Sequence, residues 1–394
     1  MTAVFLNAVG IVSALGQGMA ATREQLLFAD RPGGVAPTDA FTPGRPLHLG
    51  RVPGALPASS SLPLRFRSRN NTLVAAALAQ LRPQVDAAVQ RWGPARVAVV
   101  MGVSTAGLDE GIAALRARAA GLGWPAGYDY AQQEMGSAAA WLAQELGIHG
   151  PAHVISTACS SGAKALASAA RLLRGGRVDA VLAGGADALS GFTIAGFGAL
   201  ESVAAGRCNP LSANRCGINL GEGAALFLMS REPGPVRLAG WGETSDAHHM
   251  SAPDPAGRGA MSAMRLAMAR AGVDAGAIDY VNLHGTATPQ NDAMESLAVA
   301  LVVGLKTPAG STKPVTGHAL AAAGAIEAAL AWCCLVGNPA GRLPPHWWDG
   351  AADPALPPLK VVAPGECAGR PLRHVLSNSF AFGGSNASLL FAQA

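Results

Sequence analysis

The chain has 394 residues, of which 50% are hydrophobic and 14% are charged, and its formal net charge is +4. Such a composition is typical of a compact, closely packed protein and excludes a disordered chain. The weak charge, with no stretch that alternates Lys or Arg with aromatic residues, also argues against nucleic-acid binding.

Predicted strands and helices alternate through the first half of the chain. Strands are expected at residues 3–9, 97–103, 153–155, 179–184 and 224–230. Helices are expected at residues 20–27, 71–81, 128–146 and 163–173. Residues 32–64, rich in Pro, Gly and Ser, are predicted to form a long surface loop. This order of elements indicates a layered α/β architecture.

The second half repeats this alternation from about Pro233 onward. Strands are expected at residues 236–242, 278–283, 374–378 and 387–392, and helices at residues 257–271, 291–303 and 319–336. The last helix is rich in alanine and carries Glu327 in its middle, so we expect a buried core helix and no membrane span. The likeness of the halves suggests a duplication, divided into residues 1–232 and 233–394.

The six cysteines are scattered, and no CxxC or HxxxH pair occurs. The sequence therefore predicts neither a disulfide framework nor a metal site. A reducing, cytoplasmic setting fits this cysteine usage best. The first residues also lack the basic segment that precedes the apolar part of a signal peptide.

One cysteine lies where a predicted strand turns into a predicted helix. The stretch is Ser156-Thr157-Ala158-Cys159-Ser160-Ser161-Gly162. Free backbone N–H groups and the positive end of the helix converge at such a turn. We expect them to lower the pKa of the Cys159 thiol and to favour the nucleophilic thiolate. The alternative is a small buried cysteine without chemistry.

Three further stretches place polar residues at the ends of strands or helices. They are residues 281–289, which contain His284; residues 311–318, which contain Lys313 and His318; and residues 378–386, which contain Phe382. Each alone has a structural explanation, as a core histidine, a surface lysine or a simple turn. Glu327 is the exception, because a carboxyl group inside an apolar helix needs a partner or must stay neutral.

Together these four stretches resemble the β-ketoacyl-ACP synthases of the I/II type. The matching patterns are the Cys159 turn, HGTxTPxND from His284, TKxxxGH ending at His318 and FxFGGxN around Phe382. The resemblance implies the duplicated, five-layered αβαβα thiolase fold. A narrower resemblance, to the ketosynthases of bacterial aryl-polyene clusters, is carried by residues 67–71, 104–111, 132–136 and 379–384.

The resemblance also implies a role for each matching residue. Cys159 would carry the acyl chain, and His284 and His318 would donate N–H groups to the enolate formed when malonyl-carrier loses CO2. Lys313 and Glu327 match the family's supporting pair. The backbone N–H groups of Cys159 and Phe382 match its oxyanion hole, and Phe382 matches its gate. The expected substrate-binding residues are Thr286, Thr288, Phe380, Gly383 and Gly384.

The same resemblance implies partners. Acyl chains would arrive on the phosphopantetheine of an acyl carrier protein, and neither a metal nor a redox cofactor is expected. The assembly would be a homodimer or a heterodimer with a subunit like a chain-length factor. The segment from Gly121 to Met135 is shorter than in many relatives, which we expect to reshape the acyl pocket at the dimer contact. Candidate docking residues for the acidic carrier are Arg65, Arg67, Arg69 and Arg207. The alternative for the first three, and the better supported one, is a solvated entrance to the helix that follows them.

The sequence departs from the family pattern at two positions, and two rival classes of protein share the fold. Ala381 replaces a usual Gly, which we expect to stiffen the gate, and Cys216 replaces a usual Asp, which puts an ion pair in doubt. A thiolase would need a second catalytic cysteine where Phe382 stands. A non-elongating scaffold or chain-length subunit would lack the nucleophile, whereas Cys159 is present.

Overall fold

The computed structural model describes residues 2–394, which form thirteen strands and eleven α-helices. The strands are β1 (Phe5–Ser13), β2 (Gly16–Gln17), β3 (Val35–Thr38), β4 (Leu47–Gly50), β5 (Val97–Gly102), β6 (Ala152–Ile155), β7 (Ala180–Asp187), β8 (Gly223–Ser230), β9 (Val236–Ser245), β10 (Tyr280–Asn282), β11 (Ala309–Gly310), β12 (His374–Ala381) and β13 (Ser385–Gln393). The helices are α1 (Met19–Leu27), α2 (Arg69–Leu78), α3 (Arg82–Trp92), α4 (Leu108–Ala119), α5 (Ser137–Glu145), α6 (Ser161–Arg174), α7 (Gly191–Ala199), α8 (Arg258–Ala271), α9 (Pro289–Val302), α10 (Lys313–Thr316) and α11 (Ala323–Leu335).

The sheet repeats one strand order twice. Its strands run β11-β10-β12-β13-β9-β1-β8-β7-β5-β6, with β2 beside β1. Without β2 and the separate hairpin of β3 and β4, the first half has five strands, β1, β5, β6, β7 and β8, and the second half has five, β9 to β13. In each set of five, the first strand pairs with the fifth, the fifth with the fourth, the fourth with the second and the second with the third. The first two pairings are antiparallel and the last two parallel in both halves. This identical topology supports the suggested duplication, while the boundary at residues 232 and 233 stays a prediction.

Two helices in equivalent positions form the centre of the molecule. In the first half α6 follows β6, and in the second half α11 follows the equivalent strand β11, with the short α10 between them. Helices α6 and α11 pack closely because their contact surfaces carry small residues: a Cβ on Gly324 of α11 would lie 2.8 Å from the backbone nitrogen of Ala163 in α6. Every residue of α11 is buried, which confirms the predicted core helix with Glu327 inside it. Within residues 2–394, no helix has both the length and the apolar character needed to cross a membrane.

Several predicted elements differ from the structure. The helix expected at residues 128–146 is reduced to α5, and the residues before it form only the 3-10 turn Tyr130–Gln133. Helices α3 and α7 were missed. Pro83 lies in the first turn of α3, where proline is accommodated, and α7 contains several glycines, which are typical of a loop. The loop expected at residues 32–64 contains the hairpin of β3 and β4.

Candidate active site

Cys159 lies on a tightly held turn between β6 and α6. Ala158 adopts a left-handed conformation with φ +52°, which is uncommon for a residue with a side chain and turns the chain sharply before the cysteine. The Ser161 hydroxyl braces this turn, because it donates to the Ala158 carbonyl (2.6 Å) and accepts from the Thr157 N–H (2.8 Å). The backbone that carries Cys159 is therefore held in place by the protein itself.

Both predicted histidines lie beside this cysteine. The Nε2 atom of His318 is 2.9 Å from the Cys159 sulfur. The rings of His284 and His318 meet edge to face, with their centroids 5.3 Å apart. One nitrogen of each ring and the Cys159 sulfur all lie within 4.8 Å of one another. The structure thus brings together three side chains that are 34 to 159 residues apart in sequence.

The expected low pKa of Cys159 is wrong. Burial raises the pKa of this thiol to about 12, and the Lys313 ammonium offsets only part of the rise. The loss of water around the sulfur therefore outweighs the lysine charge. The resting state is a neutral thiol, and its reaction needs a base within hydrogen-bond distance. The Nε2 atom of His318 occupies that position.

Both imidazoles are neutral in this environment. Burial lowers the pKa of His284 and of His318 well below its ordinary value, and the charge of Lys313 lowers each further. No protein group of residues 2–394 hydrogen-bonds to the Nδ1 atom of either ring. Because a partner on one ring nitrogen is what usually fixes the tautomer, Nε2 of each ring is available as acceptor or as donor.

Lys313 and Glu327 form a buried ion pair behind the histidines. Their side chains are each 2% exposed, and the Lys313 Nζ lies 2.5 Å from a Glu327 carboxylate oxygen. Burial raises the pKa of Glu327, while the adjacent ammonium opposes this rise. The sequence predicted that Glu327 needs a partner or must stay neutral. In the structure this carboxylate of α11 has a cationic partner, Lys313 of α10.

The cysteine and the two histidines are also the residue types that bind zinc. Two features oppose a cation here. The Lys313 ammonium is close enough to lower the pKa of both rings. The Nδ1 atoms also lack the acceptors, within the described chain, that usually orient metal-binding histidines.

Two buried carboxylates hold the segments that carry these residues, and sequence analysis missed both. Glu295 of α9 accepts the backbone N–H groups of His284 and Gly285, each at 2.7 Å, and burial raises its pKa to about 7. Asp187, at the end of β7, accepts the N–H groups of Thr105 (2.8 Å) and Ala321 (2.7 Å). Both could have been identified from the sequence, because an acidic residue on the inward face of an apolar helix or strand needs a hydrogen-bond partner.

A cavity of about 200 Å³ opens onto the reactive groups. Its lining includes these predicted site residues: Cys159, His284, Thr286, Thr288, His318, Phe380 and Phe382. Phe382 is 37% exposed and packs on Phe197 of α7, with ring centroids 5.6 Å apart. Gly383 and Gly384 lie outside the lining and instead shape the turn, with φ of +79° and +69°.

The expected docking arginines are largely engaged within the protein. Arg69 forms a 2.5 Å ion pair with the buried Glu222, and Arg207 donates to backbone carbonyls of the segment 32–35. Arg67 donates to a backbone carbonyl, and Arg65 lies over a neighbouring aromatic ring. Arg69 and Arg207 each satisfy an internal charge or several carbonyl groups, and their part in docking stays a prediction.

The two departures from the family pattern are accommodated. Ala381 ends β12 with φ −114° and ψ 159°, an extended conformation that alanine adopts without strain. Its effect on the gate stays a prediction. Cys216 is exposed, and the neighbouring Arg215 forms its ion pair with Asp353 at 2.5 Å.

Two five-stranded units of the same topology are characteristic of the thiolase fold. The buried cysteine and the two neutral imidazoles lie where the two units meet. Family models agree with this class. Residues 75–233 match "Beta-ketoacyl synthase, N-terminal domain" and residues 236–345 match "Beta-ketoacyl synthase, C-terminal domain". The chain belongs to the β-ketoacyl synthase family, which confirms the resemblance found in the sequence.

Individual relatives agree with the family. Nodulation protein E of Rhizobium meliloti is 37% identical over 269 residues, 65% of each chain. The 3-oxoacyl-[acyl-carrier-protein] synthase 2 of Rhizobium meliloti (strain 1021) is 36% identical over 262 residues, 62% of this chain and 61% of that protein. The chain thus aligns with less than two thirds of the length of these curated relatives.

A solved structure matches almost the whole chain. It is the "Ketosynthase (ApeO) in Complex with its Chain Length Factor (ApeC) from Xenorhabdus doucetiae". The match has 43% identity and a TM-score of 0.93, and it covers 100% of this chain and 98% of that one.

Proposed function

We propose that this chain is a β-ketoacyl-[acyl carrier protein] synthase, an acyltransferase that condenses malonyl-carrier with an acyl chain held on Cys159. The observation that carries the proposal is the 2.9 Å contact between the Cys159 sulfur and Nε2 of His318, at the base of a cavity shared with His284. A thiol with a raised pKa and a neutral imidazole form a nucleophile and base pair.

The first half-reaction transfers the acyl group. The Cys159 sulfur attacks the thioester carbonyl carbon of the acyl-carrier while its proton moves to Nε2 of His318. The tetrahedral intermediate collapses, the C–S bond to phosphopantetheine breaks, and the leaving thiolate takes the proton from His318. The enzyme then holds a thioester on Cys159, and both histidines are neutral again.

The second half-reaction uses both imidazoles as donors. Malonyl-carrier loses CO2, and the electron pair of the broken C–C bond forms an enolate. N–H groups of His284 and His318 stabilise the enolate oxygen, which the unfixed tautomers permit. The enolate carbon attacks the acyl carbonyl on Cys159. Collapse releases the β-ketoacyl-carrier and a Cys159 thiolate, which takes a proton from solvent.

The remaining predicted residues have supporting roles in this proposal. The backbone N–H groups of Cys159 and Phe382 hold the oxyanion during acyl transfer, and the partly exposed Phe382 ring gates the cavity. Thr286, Thr288 and Phe380 bind the phosphopantetheine arm along the cavity wall. Lys313 and Glu327 orient the histidine segments. The reaction as written needs neither a metal nor a redox cofactor.

We also propose that the chain works as a dimer, with a chain-length-factor-like subunit or with a second copy. Strand β6 is the last strand of the sheet and leaves one edge without a partner strand, directly before the Cys159 turn. Large apolar side chains are exposed around the short segment 121–135, namely Leu115, Leu122, Trp124, Tyr130 and Met135. The similar ketosynthase of Xenorhabdus doucetiae is in complex with its chain length factor, which favours the heterodimer.

The same likeness supports a narrower proposal, that the acyl chains are those of aryl-polyene synthesis. We propose separately that the reaction takes place in the cytoplasm. Six unpaired cysteines among the described residues are compatible with a reducing compartment.

Intact-protein mass spectrometry tests these proposals. The protein, alone and with a candidate chain-length subunit, is mixed with saturated and with aryl-polyenoyl acyl-carrier proteins, and Cys159→Ala is the control. A Cys159-dependent adduct supports the acyltransferase, and its preference for polyenoyl chains supports the narrower pathway. Acylation by saturated chains alone favours ordinary fatty-acid elongation. No adduct under any condition contradicts catalysis and favours a non-elongating scaffold or chain-length subunit.

A further inference from the structure

Two turns meet at the mouth of the proposed oxyanion hole, and they come from opposite halves of the chain. The cysteine turn comprises residues 156–160, and the gate turn comprises Phe382–Gly384. Within the gate turn, a Cβ on Gly383 would meet no atom within 4 Å, so this part is loosely packed. The turn is also bonded to a neighbouring loop, because the Gly383 N–H donates to the Met250 carbonyl (2.8 Å) and the Asp246 N–H donates to the Gly384 carbonyl (2.9 Å). These bonds hold the gate turn against that loop, and its distance from the cysteine turn needs a separate connection.

A chain of hydrogen bonds connects them. The Lys164 ammonium donates to the Ser385 hydroxyl at 2.6 Å, directly after the gate turn. The Ser385 oxygen lies 3.0 Å from the Ser160 oxygen. The Ser160 hydroxyl in turn donates to the Thr157 carbonyl at 2.9 Å, inside the cysteine turn. Three side chains thus bridge the two turns.

The lysine occupies a position that disfavours a positive charge. It is the fourth residue of α6, near the positive end of the helix dipole. It is half-buried, and burial lowers its pKa, with a further contribution from Arg171 that Glu243 opposes. The helix position gains nothing from this charge, so the favourable interactions of the ammonium are its hydrogen bond to Ser385 and the charge of Glu243.

We propose that Lys164 is a positioning residue that, through Ser385 and Ser160, fixes the gate turn against the cysteine turn. It keeps the backbone N–H of Phe382 at a set distance from that of Cys159. This inference rests on the proposed function, because those two N–H groups form the proposed oxyanion hole. Lys164 does not line the cavity, so it acts only through the turns.

The proposal predicts a selective kinetic effect. Lys164→Met keeps the length of the side chain and removes the ammonium group. We expect acylation of Cys159 to slow by about tenfold or more at saturating substrate, with KM changed less than about twofold, because an oxyanion hole acts on the transition state. Decarboxylation of malonyl-carrier, which uses the histidines, should change by less than about twofold. Ser385→Ala should match Lys164→Met, and the double variant should be no slower than either single one.

The experiment combines these rates with hydrogen exchange, which needs no activity. Amides of residues 382–385 should exchange faster in Lys164→Met than in wild type, whereas the exposed control Lys306→Met should match wild type. Ser385→Thr, which retains the hydroxyl group, should restore slow exchange and acylation. Unchanged exchange in Lys164→Met overturns the proposal, whether or not the protein acylates. Equal losses of acylation and decarboxylation also overturn it. Failure of the wild type to acylate, with exchange as expected, contradicts only the proposed function.

Discussion

The two halves of this chain have the same strand order but contribute different chemistry. In each half one edge strand of the sheet, β6 or β11, leads into a central helix, α6 or α11. In the first half five residues (156–160) join β6 to α6 and carry Cys159. In the second half residues 311–322 join β11 to α11 and carry Lys313 and His318. The nucleophile and the imidazole nearest to it therefore occupy equivalent places in the duplicated fold.

This comparison shows how one backbone plan supports two roles. A short turn presents a single sulfur atom beside the start of a helix. A longer segment has room for α10, whose Lys313 reaches Glu327 behind the site, and for a histidine directed at the sulfur. The sheet positions the segments, and their length and sequence decide the chemistry.

The largest expected effect comes from removing the contribution of the first half. Cys159→Ala should abolish acyl transfer, a loss of at least about 10³-fold, because no other group in the cavity offers a thiol for the covalent step. The matched control is Cys216→Ala, since Cys216 is exposed and lies outside the cavity. Acyl-carrier turnover measures both. Residual acylation of Cys159→Ala on another residue would contradict the assigned nucleophile.

Removing the contributions of the second half should separate its two histidines. His318→Ala should slow both half-reactions by about 10²–10³-fold, because His318 is the base for Cys159 and a donor to the enolate. His284→Ala should slow decarboxylation by a similar factor but acylation by less than about tenfold. Separate assays of CO2 release and enzyme acylation measure the split. Identical profiles for the two variants would show that the histidines share one role.

The ion pair behind the histidines predicts an effect on stability. Lys313→Met or Glu327→Leu alone leaves a buried charge without its partner and should lower the free energy of unfolding by about 3–5 kcal/mol. The double variant should recover much of that loss, because no buried charge remains. Chemical denaturation of the three variants provides the comparison. Additive losses in the double variant would mean that the pair does not interact.

The smallest expected effect is a spectroscopic one, and it reports whether Cys159 is a thiol or a thiolate in the free protein. Because burial raises the pKa of Cys159 to about 12, ultraviolet absorbance of a thiolate should be absent below about pH 9. The signal is the difference between the wild type and Cys159→Ala, which cancels the other five cysteines. An ionisation step near neutral pH would contradict the neutral resting thiol. It would instead support the sequence-based prediction that the positive end of α6 lowers the pKa of Cys159.

Much of this site could be predicted from the sequence, because its chemistry lies in short motifs. The Cys159 turn, His284 and His318 were each identified at the end of a predicted strand or at the start of a predicted helix. Glu327 was identified as a charge in need of a partner. In these cases the informative residues are neighbours in sequence, and local pattern is enough.

Long-range contacts and burial could not be predicted. The contact of Glu295 with the His284 segment, and of Lys164 with Ser385, depends on how distant elements pack. The pKa of Cys159 was predicted in the wrong direction because the sequence shows the helix end but not the exclusion of water. The internal contacts of Arg69 and Arg207 could not be predicted for the same reason, since their partners lie far along the chain.

The central claim, that the two halves supply separable chemistry to one site, is tested most directly by CO2 release from malonyl-carrier protein by Cys159→Gln. This variant lacks the sulfur but retains His284 and His318. The account predicts that the variant forms no acyl-enzyme and still decarboxylates malonyl-carrier at a rate within about tenfold of the wild type. Loss of decarboxylation in parallel with acylation, in a variant that is folded, would contradict the division of roles between the halves.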